Sequence, residues 1–89
     1  MKVVFSTRAW ADYRAWAGTD AKTLLRSNEL IESARRTPFE GLGRPEPLRG
    51  DLAGFWSRRI TQEHRLVYRV AGREAERRIE IAACRHHYG

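Results

Sequence analysis

The chain has 89 residues, with 17 Lys and Arg against 11 Asp and Glu and a formal charge of +6. That length admits one domain, residues 1–89, with a thin core, since a domain this small buries only about 60% of the surface its unfolded chain exposes. No run approaches the roughly 20 apolar residues that span a bilayer, and Met1 to Phe5 is too short for a signal-peptide core. Cys84 is the only cysteine, which excludes an intrachain disulfide, fits a reducing cytoplasm and leaves no zinc-ligand spacing.

Arginine carries nearly all the positive charge, with Lys2 and Lys22 the only lysines. Its planar fork matches phosphate oxygens bidentately and stacks on bases, whereas an ammonium is a hydrated point charge. A GC-rich genome also favours arginine codons.

Lys2 to Phe5 predicts a short strand, and Ser6 or Thr7 caps a helix in which Trp10, Tyr13 and Ala17 recur at helical spacing beside Trp16. These aromatics read as core, and Gly18 as the stop. Thr19 or Asp20 caps a second helix to about Arg36, with Leu24, Leu25, Ile31 and Ala34 as its apolar positions and Asn28 interrupting the stripe; Thr37-Pro38 ends it. The short gap between the two predicts an antiparallel helical hairpin.

From Phe39 to Leu48 two glycines and two prolines predict irregular structure. Glu46 lies between Pro45 and Pro47, so its carboxylate is presented on a stiffened segment. Downstream, Trp56, Arg58 and Ile60 alternate with Phe55, Ser57, Arg59 and Thr61. After a turn at Gln62-Glu63-His64, in which His64 reads as structural, Leu66, Tyr68 and Val70 alternate with Arg65, Val67 and Arg69. With Leu66, Tyr68 and Val70 on the helices, Arg65 and Arg69 point away. A second turn near Gly72 precedes a strand from Arg77 to Arg85, along which His87 keeps the parity of Ile79 if the alternation is unbroken. The pattern is α+β, in the order β-α-α-β-β-β: a two-helix hairpin on one face of a small antiparallel sheet, with the other face basic and open to a ligand.

RNA can be cut without a metal, because its 2'-hydroxyl is an internal nucleophile beside the phosphate. The protein supplies a base, an acid and cations for the charge that builds on the phosphoryl oxygens. Glu46, His87 and the Arg59/Arg65 pair could fill those roles. Arginines favour the anionic form of a neighbouring carboxylate and disfavour imidazolium, so His87 as acid and Tyr88 as proton relay, phosphate contact or base platform both stay open. Arg49 and His86 could touch phosphate.

The run Asn28-Glu29-Leu30-Ile31, then Arg35 to Gly41, Gly43 to Leu48, Gly54 to Thr61, Glu63 to Tyr68, Ile81 to Arg85 and His87-Tyr88 resembles the YoeB/Txe toxins of bacterial toxin-antitoxin modules. The resemblance implies a compact RNase fold of the RelE superfamily. It also implies entry into the A site of the 70S ribosome, cleavage of messenger RNA there, and inhibition by a YefM/Phd-type antitoxin. Through that antitoxin the toxin would reach operator DNA, and a homodimer is expected. The family's catalytic residues fall on Glu46, Arg65, His87 and Tyr88; Arg59 matches a further active-site arginine and Arg49 a basic contact position. No metal, cofactor or membrane is implied. Gln62 stands where an acidic residue is expected and His86 where an aromatic is usual, Gly89 extends past the tyrosine, and the turn from Ala71 to Glu76 is long.

Two other readings compete. One is a non-catalytic toxin of the same superfamily that acts by binding gyrase or the ribosome. The other is a basic RNA-binding module whose acid-base residues are incidental.

Overall fold

Ser6 joins the first strand to the first helix. The computed structural model describes residues 1–86. In it Lys2–Phe5 forms β1 and Thr7–Thr19 forms α1, with the Ser6 hydroxyl accepting from Ala9 N–H at 3.0 Å. Asp20 then serves both helices. Its N–H donates to the Trp16 carbonyl, ending α1, and its carboxylate accepts from Thr23 N–H at 3.1 Å, opening α2 (Ala21–Arg36). The hydrogen bonds from Thr23 hold that carboxyl below its ordinary range. The second helix ends at Thr37, before Pro38, as the proline predicts.

The buried face of α2 is Thr23, Ser27, Leu30, Ile31 and Ala34, a clean 3.6-residue stripe. Leu25 lies two residues, about 200° of helical turn, from Thr23 and is 64% exposed, so it is a surface residue and not the core position the sequence suggests. On α1, Ala9 and Trp16 are buried, and the Trp16 indole N–H donates to the Cys84 carbonyl at 2.7 Å. Trp10 is half exposed, stacked on Tyr13 and edge-on to Phe5, and so is not a core residue.

Four further strands complete the sheet: β2 (Glu46–Pro47), β3 (Trp56–Arg59), β4 (Arg65–Ala71) and β5 (Arg78–Ala83), in the spatial order β1-β5-β4-β3-β2. The four C-terminal strands are antiparallel, but β1 pairs parallel with β5, so the sheet is mixed. Parallel pairing follows from the helical hairpin, which carries the chain across one face before the meander starts. The segment from Phe39 to Leu48 is irregular except at Glu46 and Pro47, which bridge to β3 at the sheet edge, where a proline is tolerated. Two single 3-10 turns, Gly50–Leu52 and Glu74–Glu76, fill the loops, the second with Gly72 at φ 81°.

Leu66 and Tyr68 of β4, Ile79 and Ile81 of β5, and Ile60 meet Ala9, Leu30, Ile31 and Ala34 in one core. A register shift in β4–β5 between Val67 and Tyr68 changes the parity of β5, so that Ile79, Ile81 and then Cys84 join the same core. The alternation from Ile79 towards His87 is therefore broken; His87, Tyr88 and Gly89 lie outside the described residues.

Candidate functional site

Residues directly opposite in an antiparallel pair share a face of the sheet. Glu46 is opposite Ser57, Ser57 is opposite Val67, and Arg59 is opposite Arg65. Because Ser57 and Arg59 alternate with Trp56 and Arg58 on β3, Glu46, Arg59 and Arg65 all stand on the face turned away from the helices. The structure thus brings three of the candidate residues onto one side of the β2-β3-β4 edge. Arg49 is exposed at the start of the Gly50–Leu52 turn, outside the paired rungs.

Arg65 is fixed by the turn that precedes it. One terminal nitrogen donates to the carbonyls of Thr61 and Gln62 at 3.1 and 3.3 Å, while Thr61 Oγ1 accepts from His64 N–H at 3.1 Å and closes the same turn. No acceptor among the described residues takes its other guanidinium N–H groups, and the side chains of Glu46 and Arg59 likewise make no hydrogen bond or ion pair among the described residues. Like charges on residues directly opposite each other destabilise a strand pair, and Arg59 and Arg65 are such residues. An anion between them would remove that cost.

Arg58, which alternates with Arg59 on β3, does not join the basic face and is wholly buried on the helix side. Its Nε donates to the Tyr68 hydroxyl at 2.8 Å. One terminal nitrogen donates to Ser33 Oγ and the Leu42 carbonyl, and the other to the carbonyls of Thr37 and Glu40. Arg58 has no ion pair among the described residues; the C-terminal carbonyl of α2 and the following loop disperse its charge. Burial pushes the Tyr68 phenol up, against the opposing effect of Arg58. Arg58 thereby holds the loop that leads to Glu46. Its parity with Trp56 and Ile60 was the only sign of this in the sequence.

Two other features shape the same face. Arg69 pairs with Glu80 at 2.7 Å and Arg78 with Glu80 at 2.8 Å, so part of its positive charge is neutralised. A groove of about 360 Å³ runs between Val4, Phe55, Arg69, Glu80 and Ala82, and contains none of Glu46, Arg59 or Arg65. No three His, Cys, Asp or Glu side chains among the described residues converge as a metal site, and no helix among them is long and apolar enough to cross a membrane.

A helical hairpin over one face of a small sheet, with a carboxylate and two arginines on the other, defines a RelE-like toxin fold. The chain belongs to the family of YoeB-like toxins of bacterial type II toxin-antitoxin systems, whose model matches residues 5–88. It is 54% identical to Toxin YoeB of Escherichia coli K12 over 99% of this chain and 100% of that protein. The YoeB/ParE toxin of Agrobacterium tumefaciens superposes with a TM-score of 0.93 at 56% identity, covering 99% of this chain and 100% of that one. Staphylococcus aureus YoeB, solved as a dimer, gives 0.87 at 42% identity over 99% and 98% of the two chains. Its complex with YefM gives 0.86 at 40% identity, with the same coverage.

Proposed function

We propose that this toxin is a ribosome-dependent messenger RNA endoribonuclease that works without a metal. The observation carrying the reading is that Glu46, Arg59 and Arg65 occupy one face of the sheet, with the two arginines opposite each other on a single rung. Glu46 takes the proton of the 2'-hydroxyl, whose oxygen attacks phosphorus while the bond to the 5'-oxygen breaks. The leaving oxygen receives a proton from the C-terminal pair His87 and Tyr88, and the products are a 2',3'-cyclic phosphate and a 5'-hydroxyl. Arg65, oriented by its turn, and Arg59 bear the charge that develops on the phosphoryl oxygens, and Arg49 adds a contact to the RNA backbone.

Free single-stranded RNA does not hold its 2'-oxygen in line with the leaving group. A ribosomal A site that does so supplies the orientation that a protein of 89 residues lacks. The chain would act in the cytoplasm, be neutralised by a YefM-type antitoxin bearing an acidic segment, reach operator DNA through that antitoxin, and self-associate as its S. aureus relative does.

Toeprinting on a defined messenger with purified ribosomes in chelator-treated buffer tests this. New 5' ends at the A-site codon, lost with Glu46→Gln and with His87→Gln, are expected. Stalled ribosomes on intact messenger would overturn the nuclease reading in favour of an inhibitor that acts by binding.

A further inference from the structure

His86 has its backbone pinned at both ends of the residue. Its N–H donates to His64 Nδ1 at 2.7 Å, and its carbonyl accepts from Arg65 N–H at 2.8 Å. The residue sits at φ 63°, a left-handed conformation that a non-glycine residue holds only when its surroundings impose it. The two bonds supply that imposition.

The acceptor is itself rigid. The His64 ring lies edge-on to Trp16 with centroids 4.7 Å apart, and Trp16 is tied to the Cys84 carbonyl and covered by the Arg85 guanidinium at 5.5 Å. The His64 backbone is held by Thr61 Oγ1 on its N–H and by the N–H groups of Ile60 and Thr61 on its carbonyl. An Nδ1 that accepts a backbone N–H carries no proton, so the ring bears its proton on Nε2. Nothing in packing against Trp16 requires that tautomer; the His86 amide does.

We propose that His64 is a positioning residue for RNA cleavage, acting through Nδ1 on the His86 amide to fix the point from which His87 and Tyr88 continue. This rests on the nuclease reading above. It gives one clamp, the turn from Thr61 to Arg65, control of Arg65 directly and, through His86, of the backbone that leads to the acid pair.

Three variants separate the acceptor from the bulk of the ring. Asn puts an oxygen at the same number of bonds from Cα as Nδ1, Gln puts it one bond further, and Phe keeps the ring without an acceptor. In single-turnover cleavage on ribosomes, His64→Phe and His64→Gln are expected to lower the rate at saturation by on the order of 100-fold, as misplacement by about an ångström does. The half-saturating toxin concentration should stay unchanged, and His64→Asn should restore most of the rate. Amide hydrogen exchange at His86 in the full chain should be fast in Phe and Gln and slow in wild type and Asn. Two variants guard against misfolding, since the inference is judged on whichever keeps the wild-type melting temperature. Equal rates in wild type, Phe and Gln, or an Asn variant as slow as Phe, would overturn the inference while leaving the nuclease intact. A wild-type chain that does not cleave would overturn both, and the exchange pattern would then report the clamp alone.

Discussion

Arg58 Nε and the Tyr68 hydroxyl are 2.8 Å apart in the interior, and the hydroxyl passes the connection on by donating to the Pro38 carbonyl at 2.6 Å. The pair joins β3, β4 and the loop after α2. Tyr68→Phe leaves an Arg58 donor and the Pro38 carbonyl without that partner, and should cost about 1–3 kcal/mol in urea unfolding. Arg58→Leu strips Ser33, Thr37, Glu40, Leu42 and Tyr68 of one contact each and should be the more damaging change. A smaller loss from Arg58→Leu than from Tyr68→Phe would mean that water replaces the guanidinium and that the loop is not held by it.

Gly43 lies at φ 82°, and a Cβ there would come within 2.7 Å of Leu30 Cδ2 and 3.1 Å of Arg58 Cβ. Its carbonyl accepts from Arg59 N–H at 2.7 Å, three residues before Glu46. Gly43→Ala therefore combines a disfavoured backbone with a clash against the core. It should lower stability by about 1–3 kcal/mol and, on the proposed mechanism, also slow cleavage at saturating toxin, because the displaced segment carries Glu46, the proposed base. Stability and cleavage both unchanged would show that the loop moves without disturbing Glu46.

Local chemistry was legible in the sequence where a single residue decides the outcome. Ser6 and Asp20, each one of two caps the sequence offered, open the helices and Thr37-Pro38 ends α2, whereas α1 runs through Gly18, the expected stop, to Thr19, because the Asp20 N–H closes its last turn on the Trp16 carbonyl. The alternation of Leu66 and Tyr68 with Arg65 and Arg69 assigned the faces of β4. Features that depend on distant partners were not. The burial of Arg58 needs five acceptors from α2, its following loop and β4, and the parity change in β5 needs the register of its neighbour. The helix stripe was misread at Leu25 because hydrophobicity alone does not reveal that Thr23 and Ser27 are the inward positions; Ser27 is satisfied there by its own bond to the Thr23 carbonyl at 2.8 Å. For the site, motif resemblance located Glu46, Arg59 and Arg65, but only strand register places them on one face.

Glu80 gives the fold a pH dependence of known sign. Hydrogen bonds from Arg69, then Arg78, hold its carboxyl below the ordinary range near 4.5. A carboxylate with a depressed folded value adds stability above its unfolded value and loses it as pH falls through the folded one. The melting-temperature difference between wild type and Glu80→Gln should be constant from pH 7 to about 5, since unfolded glutamate titrates near 4.3, and should shrink below that. A difference that stays constant down to pH 2 would show that the Arg69 and Arg78 bonds do not form in solution.

Cys84 offers an independent check on the core. Its side chain is fully buried, its Sγ lies 3.5 Å from the Ala9 carbonyl, and burial pushes the thiol up to about 12. The thiolate is the reactive form, so alkylation by iodoacetamide at pH 8 should be negligible in the native chain and rapid in urea. Fast native labelling would mean that the packing of Cys84, one residue beyond β5, against α1 opens readily.

The rung formed by Arg59 and Arg65 makes a prediction that requires no ribosome. Like charges on two residues directly opposite in the sheet oppose folding until an anion offsets them, so a phosphodiester or inorganic phosphate should bind the folded chain and raise its melting temperature in proportion to the logarithm of its concentration. Arg59→Ala removes the repulsion together with half the fork. It should be as stable as wild type or slightly more so without phosphate, and should show a reduced shift with it. Arg65→Lys keeps the charge, but an ammonium cannot reproduce a guanidinium anchored to the Thr61 and Gln62 carbonyls while presenting its remaining N–H groups to phosphate. That variant should lose both the phosphate-dependent shift and cleavage. A phosphate response in Arg59→Ala and Arg65→Lys equal to wild type's would place the anion elsewhere on the basic surface and remove the rung from the mechanism.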